Sequence, residues 1–231
     1  MTGRKRNHMN ITYLHHSCFL VETHRFYYLF DYENGCLPEM DVHKPIFVLS
    51  SHSHADHYNP EIFPLLASLG MGQVRAVLSD DIAPPAHVDT LLVSPEQTYD
   101  LGPDQKLFTL RSTDLGVAFL IEDGGQLIYH AGDLNDWVWD DEPLSANAEM
   151  TANYRKQIRL LAQKLDHRTV DTAFVVLDPR QEGDYDRGLC YFLDNISAKQ
   201  VYPMHYWDEP GIIDSFLKDH PEYQFRIQKT Q

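Results

Sequence analysis

Cysteine is scarce in this chain of 231 residues, and Cys18, Cys36 and Cys190 form an odd, widely spaced set. Such a set makes no disulfide framework, and a reducing, cytoplasmic setting is the simpler expectation. Long apolar runs are lacking too. No stretch approaches the ~18 apolar residues that span a bilayer, so no membrane partner is expected. The basic start Arg4-Lys5-Arg6 has no apolar segment behind it of the kind a signal peptide needs, and residues 1–8 are expected to be flexible. Positive charge is short: 19 Lys and Arg stand against 34 Asp and Glu, a formal net charge of −15. That balance argues against a broad nucleic-acid or anionic-membrane footprint. There is no Gly-x-Ser-x-Gly elbow for a nucleophilic serine and no glycine-rich phosphate loop. Internal repeats, low-complexity tracts and long linkers are also missing.

About 43% of the chain is hydrophobic, enough at this length to bury a core. Apolar runs at 11–14, 18–21 and 26–30 predict a β-meander. A short run at 46–49 predicts a buried strand. Asn59 suits a helix N-cap, Pro60 the first helical position and Gly70 the end, with Ile62, Phe63, Leu65, Leu66 and Leu69 on the apolar face. Further strands are predicted over 74–78, 87–93, 106–110, 117–121 and 126–129, with Asp123-Gly124-Gly125 as a hairpin turn. A long helix over 147–165 presents Met150, Tyr154, Ile158, Leu161 and Leu165 on one face. The remainder reads as a strand at 172–177, a helix at 187–195, a strand at 200–204, a short helix near 212–217 and a strand near 223–227. One α/β domain covering 1–231 fits this order better than two.

The chemistry concentrates where apolar runs end. The run at 46–49 leads to His52-Ser53-His54-Ala55-Asp56-His57, the run at 126–129 to His130 and Asp133, and the run at 200–204 to His205. Ligand sites form outside strand ends, where loops from distant segments converge. A bent loop can aim His52 and His54 at one ion, while Asp56 and His57 point at a second. Mixed imidazole and carboxylate donors suit Zn²⁺ best, with Mn²⁺ or Fe as alternatives and one or two ions bound. The reagent would be a metal-bound hydroxide, formed because the pKa of a water on such a centre falls to about 7.

The segments Ile11-Thr12-Tyr13-Leu14-His15-His16-Ser17, Phe30-Asp31, Ser51 to His57, Tyr129-His130-Ala131-Gly132-Asp133-Leu134 and Pro203-Met204-His205-Tyr206 resemble the metallo-β-lactamase superfamily. Within it they are most similar to the ascorbate-6-phosphate-lactonase-like branch. The resemblance spans nearly the whole chain and implies an α/β (α+β) fold, a four-layer αβ/βα sandwich. It implies that His52 and His54 bind a first metal, that Asp56, His57 and His205 bind a second, and that Asp133 bridges them. One element departs. The superfamily usually supplies another first-metal histidine in the region that here reads Leu110-Arg111-Ser112-Thr113-Asp114-Leu115-Gly116. Asp114 could take that place; water or substrate could fill it; or the first ion could bind weakly. Asp114 reads equally well as a turn residue before Gly116.

Other residues carry two readings each. Asp31 either accepts the second N–H of a liganding imidazole or starts a turn. His16 either borders the site or is a structural histidine. His130 suits a part in orienting a metal ligand, touching substrate or catalysis, and Asp56 could steer the nucleophile or shuttle a proton. Trp137 and Trp139 would suit a substrate wall if exposed, and could equally pack on the following helix. Tyr206 and Trp207 are further lining candidates. Arg180 either grips a substrate carboxylate or phosphate or pairs with Asp178 or Glu182. The expected activity is hydrolysis of a small, anionic lactone, ester or phosphoester. The rivals are a nuclease or phosphodiesterase of the same superfamily, which the charge disfavours, and a degenerate, non-catalytic metal binder. A small-molecule substrate is the expected partner, and a homo-oligomer is left open.

Overall fold

A computed structural model describes residues 9–230, so the expectation for residues 1–8 lies outside the described residues. The chain divides into two compact units, Met1–Leu92 and Val93–Gln231.

The first unit carries a six-stranded sheet in the order β1 (Asn10–His15), β2 (Cys18–Glu22), β3 (Tyr27–Phe30), β4 (Ile46–Ser50), β5 (Val74–Ser79) and β6 (Asp89–Val93). The meander makes β1, β2 and β3 antiparallel, while β3, β4 and β5 run parallel. All five residues of β4 are buried, as a parallel strand covered on both faces requires. Leu20, Leu29, Val48 and Ala76 present one apolar face across four strands, and α1 (Ile62–Ser68) lays Ile62, Phe63 and Leu66 on it. Each such buried side chain contributes about 1.5–3 kcal/mol. α1 starts two residues later than the sequence predicts. Asn59 Oδ1 accepts from Glu61 N at 3.0 Å, which holds Pro60 and Glu61 in a turn ahead of the helix. Gly70 ends the element at φ +83°, as expected.

The second unit carries the other sheet, in the order β12 (Ala198–Met204), β11 (Val170–Val176), β10 (Gln126–His130), β9 (Val117–Asp123), β8 (Gln105–Arg111) and β7 (Thr98–Gly102). β7 to β10 are antiparallel, and β10, β11 and β12 are parallel. Gly124 and Gly125 turn the β9–β10 hairpin with φ of 57° and 87°, the pair of positive angles a two-residue hairpin demands. The long helix α2 runs over Leu144–Leu165 and buries Tyr154, Ile158, Leu161 and Leu165; Met150 on the same stripe is only half-buried. α3 (Arg187–Asn195) packs Phe192 flat on Tyr129 of β10, ring centroids 5.3 Å apart. α4 (Gly211–Asp219) is the last helix.

Two sequence expectations need correction. β7 is not anticipated, because Asp100 and Gly102 are poor strand formers and the strand lies at a half-exposed sheet edge. The strand expected near 223–227 is instead a 3₁₀ turn, Pro221–Tyr223, followed by a single bridge from Ile227 to Val201. Pro221 opens the turn with a fixed φ. No helix among the described residues is long and apolar enough to cross a membrane. The architecture is α+β: two mixed sheets with flanking helices, consistent with the metallo-β-lactamase fold.

Candidate metal centre

In the first unit the strand directions decide which residues meet. β1 runs parallel to β3 because both are antiparallel to β2, so the C-terminal ends of β1, β3 and β4 share one sheet edge. That edge receives His16, Asp31 and the run 51–57. His16 and Asp31 both take left-handed backbone angles, φ 47° and 44°, a cost that persists only where the surroundings fix the residue. Asp31 is fully buried. It accepts from Ser51 N at 2.7 Å, from Ser51 Oγ at 2.8 Å and from His57 Nδ1 at 2.8 Å. The proton on Nδ1 leaves Nε2 of His57 as the lone-pair nitrogen. Ser51 Oγ also lies 3.0 Å from His52 Nδ1. His16, Asp56 and His57 each offer a donor atom within 4.8 Å of the others. His52 Nε2 and His54 Nδ1 converge to 3.0 Å. The whole His-x-His-x-Asp-His run is therefore gathered with Asp31 and His16, and His54 remains exposed.

The second unit repeats the logic. β8, β10, β11 and β12 point the same way, so Asp114, Asp133, Asp178 and His205 follow their C-terminal ends at one edge. His205, at φ 65°, places Nε2 3.4 Å from Asp133 Oδ1. Asp114 and Asp133 also bring donor atoms within 4.8 Å of each other. Thr113 ties the two loops together: its hydroxyl donates to Asn135 O at 2.6 Å and accepts from Asn135 N at 3.0 Å. Asp114 is exposed, and its backbone N–H bonds Ser112 Oγ at 3.1 Å.

Sequence reasoning did not single out Asp178, except as a pairing partner for Arg180. It is fully buried and accepts from His205 Nδ1 at 2.9 Å, the part Asp31 plays for His57. Arg180 forks onto it, with Nε 3.0 Å from both carboxylate oxygens and Nη2 2.5 Å from Oδ2. Burial pushes the Asp178 carboxyl up, but the bonds from His205 and Arg180 outweigh it and hold it at about 2. The Arg180 guanidinium also lies over Trp207, 4.8 Å from the ring centre. The ion pair with Asp178 is thus formed in the structure, and it competes with any grip on a substrate.

Trp137 is buried, so it is not the exposed wall that one of its two readings required. Its Nε1 donates to Asp133 O at 2.9 Å, and its ring meets the edge of His205 at 5.5 Å. It stacks on the half-buried Trp139 at 5.9 Å. Trp139 and Arg180 line one cavity of about 230 Å³ together with Asp140, Asp141 and Glu182. His130 is buried against Phe174, and its Nδ1 accepts from Gly132 N at 3.1 Å, which braces the turn leading to Asp133. Tyr206 is buried, whereas Trp207 is exposed.

A profile of the family described as beta-lactamase superfamily domain matches residues 10–145, more than half of the chain. The chain belongs to this family. The matched segment contains the 52–57 run, Asp114 and Asp133, and it stops short of Asp178 and His205. No curated protein sequence matches the chain. Among solved structures it is similar to Igni18, a metallo hydrolase from Ignicoccus hospitalis, at 14% identity and a TM-score of 0.64, over 96% of this chain and 95% of that one. It is similar to CmlA, a diiron β-hydroxylase from Streptomyces venezuelae, at 14% identity and a TM-score of 0.60, over 98% of this chain and 53% of CmlA. Zn²⁺-bound PqqB from Methylobacterium extorquens aligns at 16% identity with a TM-score of 0.51, over 92% of this chain and 84% of that one. At these identities the likenesses speak to the fold.

The donor chemistry in each unit fits what the family implies. Imidazole and carboxylate are competent ligands for divalent transition metals, and in both units a buried carboxylate fixes the tautomer of a candidate ligand histidine.

Proposed function

We propose that this chain is a metal-dependent hydrolase of a small, anionic lactone, ester or phosphoester. The observation that carries the reading is the paired device of Asp31 behind His57 and Asp178 behind His205. Buried carboxylates on Nδ1 are how metal-binding imidazoles are oriented. With the family's ligand order, His52, His54 and Asp114 would hold a first ion, Asp56, His57 and His205 a second, and Asp133 both. His16 joins the second set by its proximity to Asp56 and His57. Zn²⁺ suits these donors best; the carboxylate at Asp114 makes the first set more oxygen-rich, which keeps Mn²⁺ and Fe open. Bound ions would supply Lewis acidity, an acidified water and local positive charge in an otherwise acidic chain.

The chain's own residues supply the rest. Asp56, half-exposed beside His16, would take a proton from the attacking water. His130 and Trp137 hold the Asp133 loop through Gly132 N and Asp133 O. Trp139 would offer one apolar wall to the substrate in a cavity also lined by Arg180 and the acidic residues Asp140, Asp141 and Glu182. The lactonase-like branch directs the first substrates to try, phosphorylated lactones.

The test is a panel of lactones, carboxylic esters and phosphoesters, presented to metal-stripped protein before and after Zn²⁺, Mn²⁺ or Fe²⁺ is restored. Turnover of at least one class on metal return supports the reading. Metal-dependent oxygen uptake with no hydrolysis of any class would overturn it.

A further inference from the structure

Away from the residues assigned above, α3 and the segment after α4 build a second set of donors. Asp186 precedes α3 and Cys190 lies one turn on, so the two share a face; Cys190 N donates to Asp186 O at 2.8 Å in the first helical bond. His220 ends α4, anchored by its N–H on Phe216 O at 2.8 Å and by its ring against Phe216 at 4.9 Å. Its Nε2 is 2.6 Å from Asp186 Oδ2 and 3.7 Å from Cys190 Sγ. The three donor atoms lie within 4.8 Å of one another. On the far side of the ring, Nδ1 faces Glu222 Oε1 at 3.7 Å.

We propose that Asp186, Cys190 and His220 form a binding site for one thiophilic divalent cation, Zn²⁺ by its donor set, which clips the end of α4 to the start of α3. The convergence separates this from a nucleophilic cysteine. In a proton relay the thiol and the carboxylate sit on opposite ring nitrogens; here both face Nε2, which suits a shared ion. The dimensions fit. Zinc bonds of about 2.3 Å to sulfur and 2.0–2.1 Å to nitrogen place those atoms about 3.6 Å apart across a tetrahedral angle. Sulfur and nitrogen already stand at 3.7 Å. The Asp186–His220 hydrogen bond would open by less than about 1 Å. Glu222 supplies the outer carboxylate that orients a ligand imidazole. Three protein donors leave a fourth position for water.

Cobalt reports on this site alone, because the other proposed ligands are all histidine and aspartate and give no thiolate band. Metal-free full-length protein titrated with Co²⁺ is expected to develop the near-ultraviolet thiolate-to-cobalt charge-transfer absorption. The band should vanish in Cys190→Ser and persist in His57→Ala, which disables only the other site. Glu222→Gln, on the surface, should retain the band and weaken the apparent Co²⁺ affinity about ten-fold. Absence of the band in the wild type, or its survival in Cys190→Ser, would overturn the proposal. An unchanged affinity in Glu222→Gln would overturn the outer-carboxylate part.

Discussion

Asp31 and Asp178 play one part twice. Each ends a buried apolar strand, in Tyr28-Leu29-Phe30-Asp31 and Val175-Val176-Leu177-Asp178, and each holds the Nδ1 of a histidine that follows the next parallel strand. The register explains it: Asp31 N bonds Leu49 O, and Leu177 N bonds Met204 O, so each carboxylate stands beside the loop that carries its histidine. Asp31 could be suspected because it ends a strand and the resemblance places it near the 52–57 run. Asp178 stands 27 positions before His205, much as Asp31 stands 26 before His57, and it was hidden by Arg180, which offered a sufficient partner two residues away. Replacing either acid with asparagine should weaken metal binding by ~10–100-fold while leaving the fold intact, measured by competition with a chromophoric chelator. Asp178 also predicts a pH effect in metal-free protein. Its carboxyl is held at about 2, below its unfolded value, so its contribution is present above pH ~4 and is lost as the pH falls through about 2. A depression of this size is worth on the order of 2 kcal/mol. Metal-free wild type should be more stable than Asp178→Asn at pH 6 by that order in urea unfolding, with the gap closing toward pH 2.

At the scale of elements, the Asp133 loop rests on α3 at a place only glycine allows. A Cβ on Gly188 would fall 1.8 Å from Asn135 Oδ1 and 3.2 Å from Asp136 N. The same glycine accepts from Tyr154 Oη at 2.7 Å, and Asn135 Nδ2 donates to Gln181 at 2.7 Å, so neither neighbour gives way easily. Gly188→Ala should therefore cost about 1–3 kcal/mol and shift the loop that carries Asp133, lowering metal affinity as well as Tm. No sequence pattern marks Gly188, because the clash depends on a loop some fifty positions earlier. Elements with strong local signals were legible: β4, the Gly124-Gly125 hairpin and the helix over 187–195 all stand where the sequence places them. β7 was not, since an edge strand carries little apolar periodicity, and the last segment was misread because Tyr223, Phe225 and Ile227 alternate like a strand yet only Ile227 is buried.

For the molecule as a whole, the −15 charge and the family membership lead to the same expectation. An acidic chain gathers carboxylates and imidazoles at strand ends at an electrostatic cost that bound divalent cations would relieve. Chelation should lower Tm, and restoring Zn²⁺ in excess should recover it, by about 2.7 kcal/mol at one hundred times the dissociation constant for each site bound only in the native state. The candidate ligand positions in the first unit stood out in the sequence because four of them lie within six residues. In the second, Asp133 and His205 were suggested by their places after apolar runs, and Asp114 only through the family, since the three are scattered over ninety positions. The most direct test is hydrolysis by metal-restored wild type, His57→Ala and His205→Ala, assayed side by side on whichever substrate class the wild type turns over. The account predicts turnover in the wild type that disappears on chelation and returns with metal, and none in either variant. Undiminished turnover in His57→Ala or His205→Ala, or in chelated wild type, would contradict it.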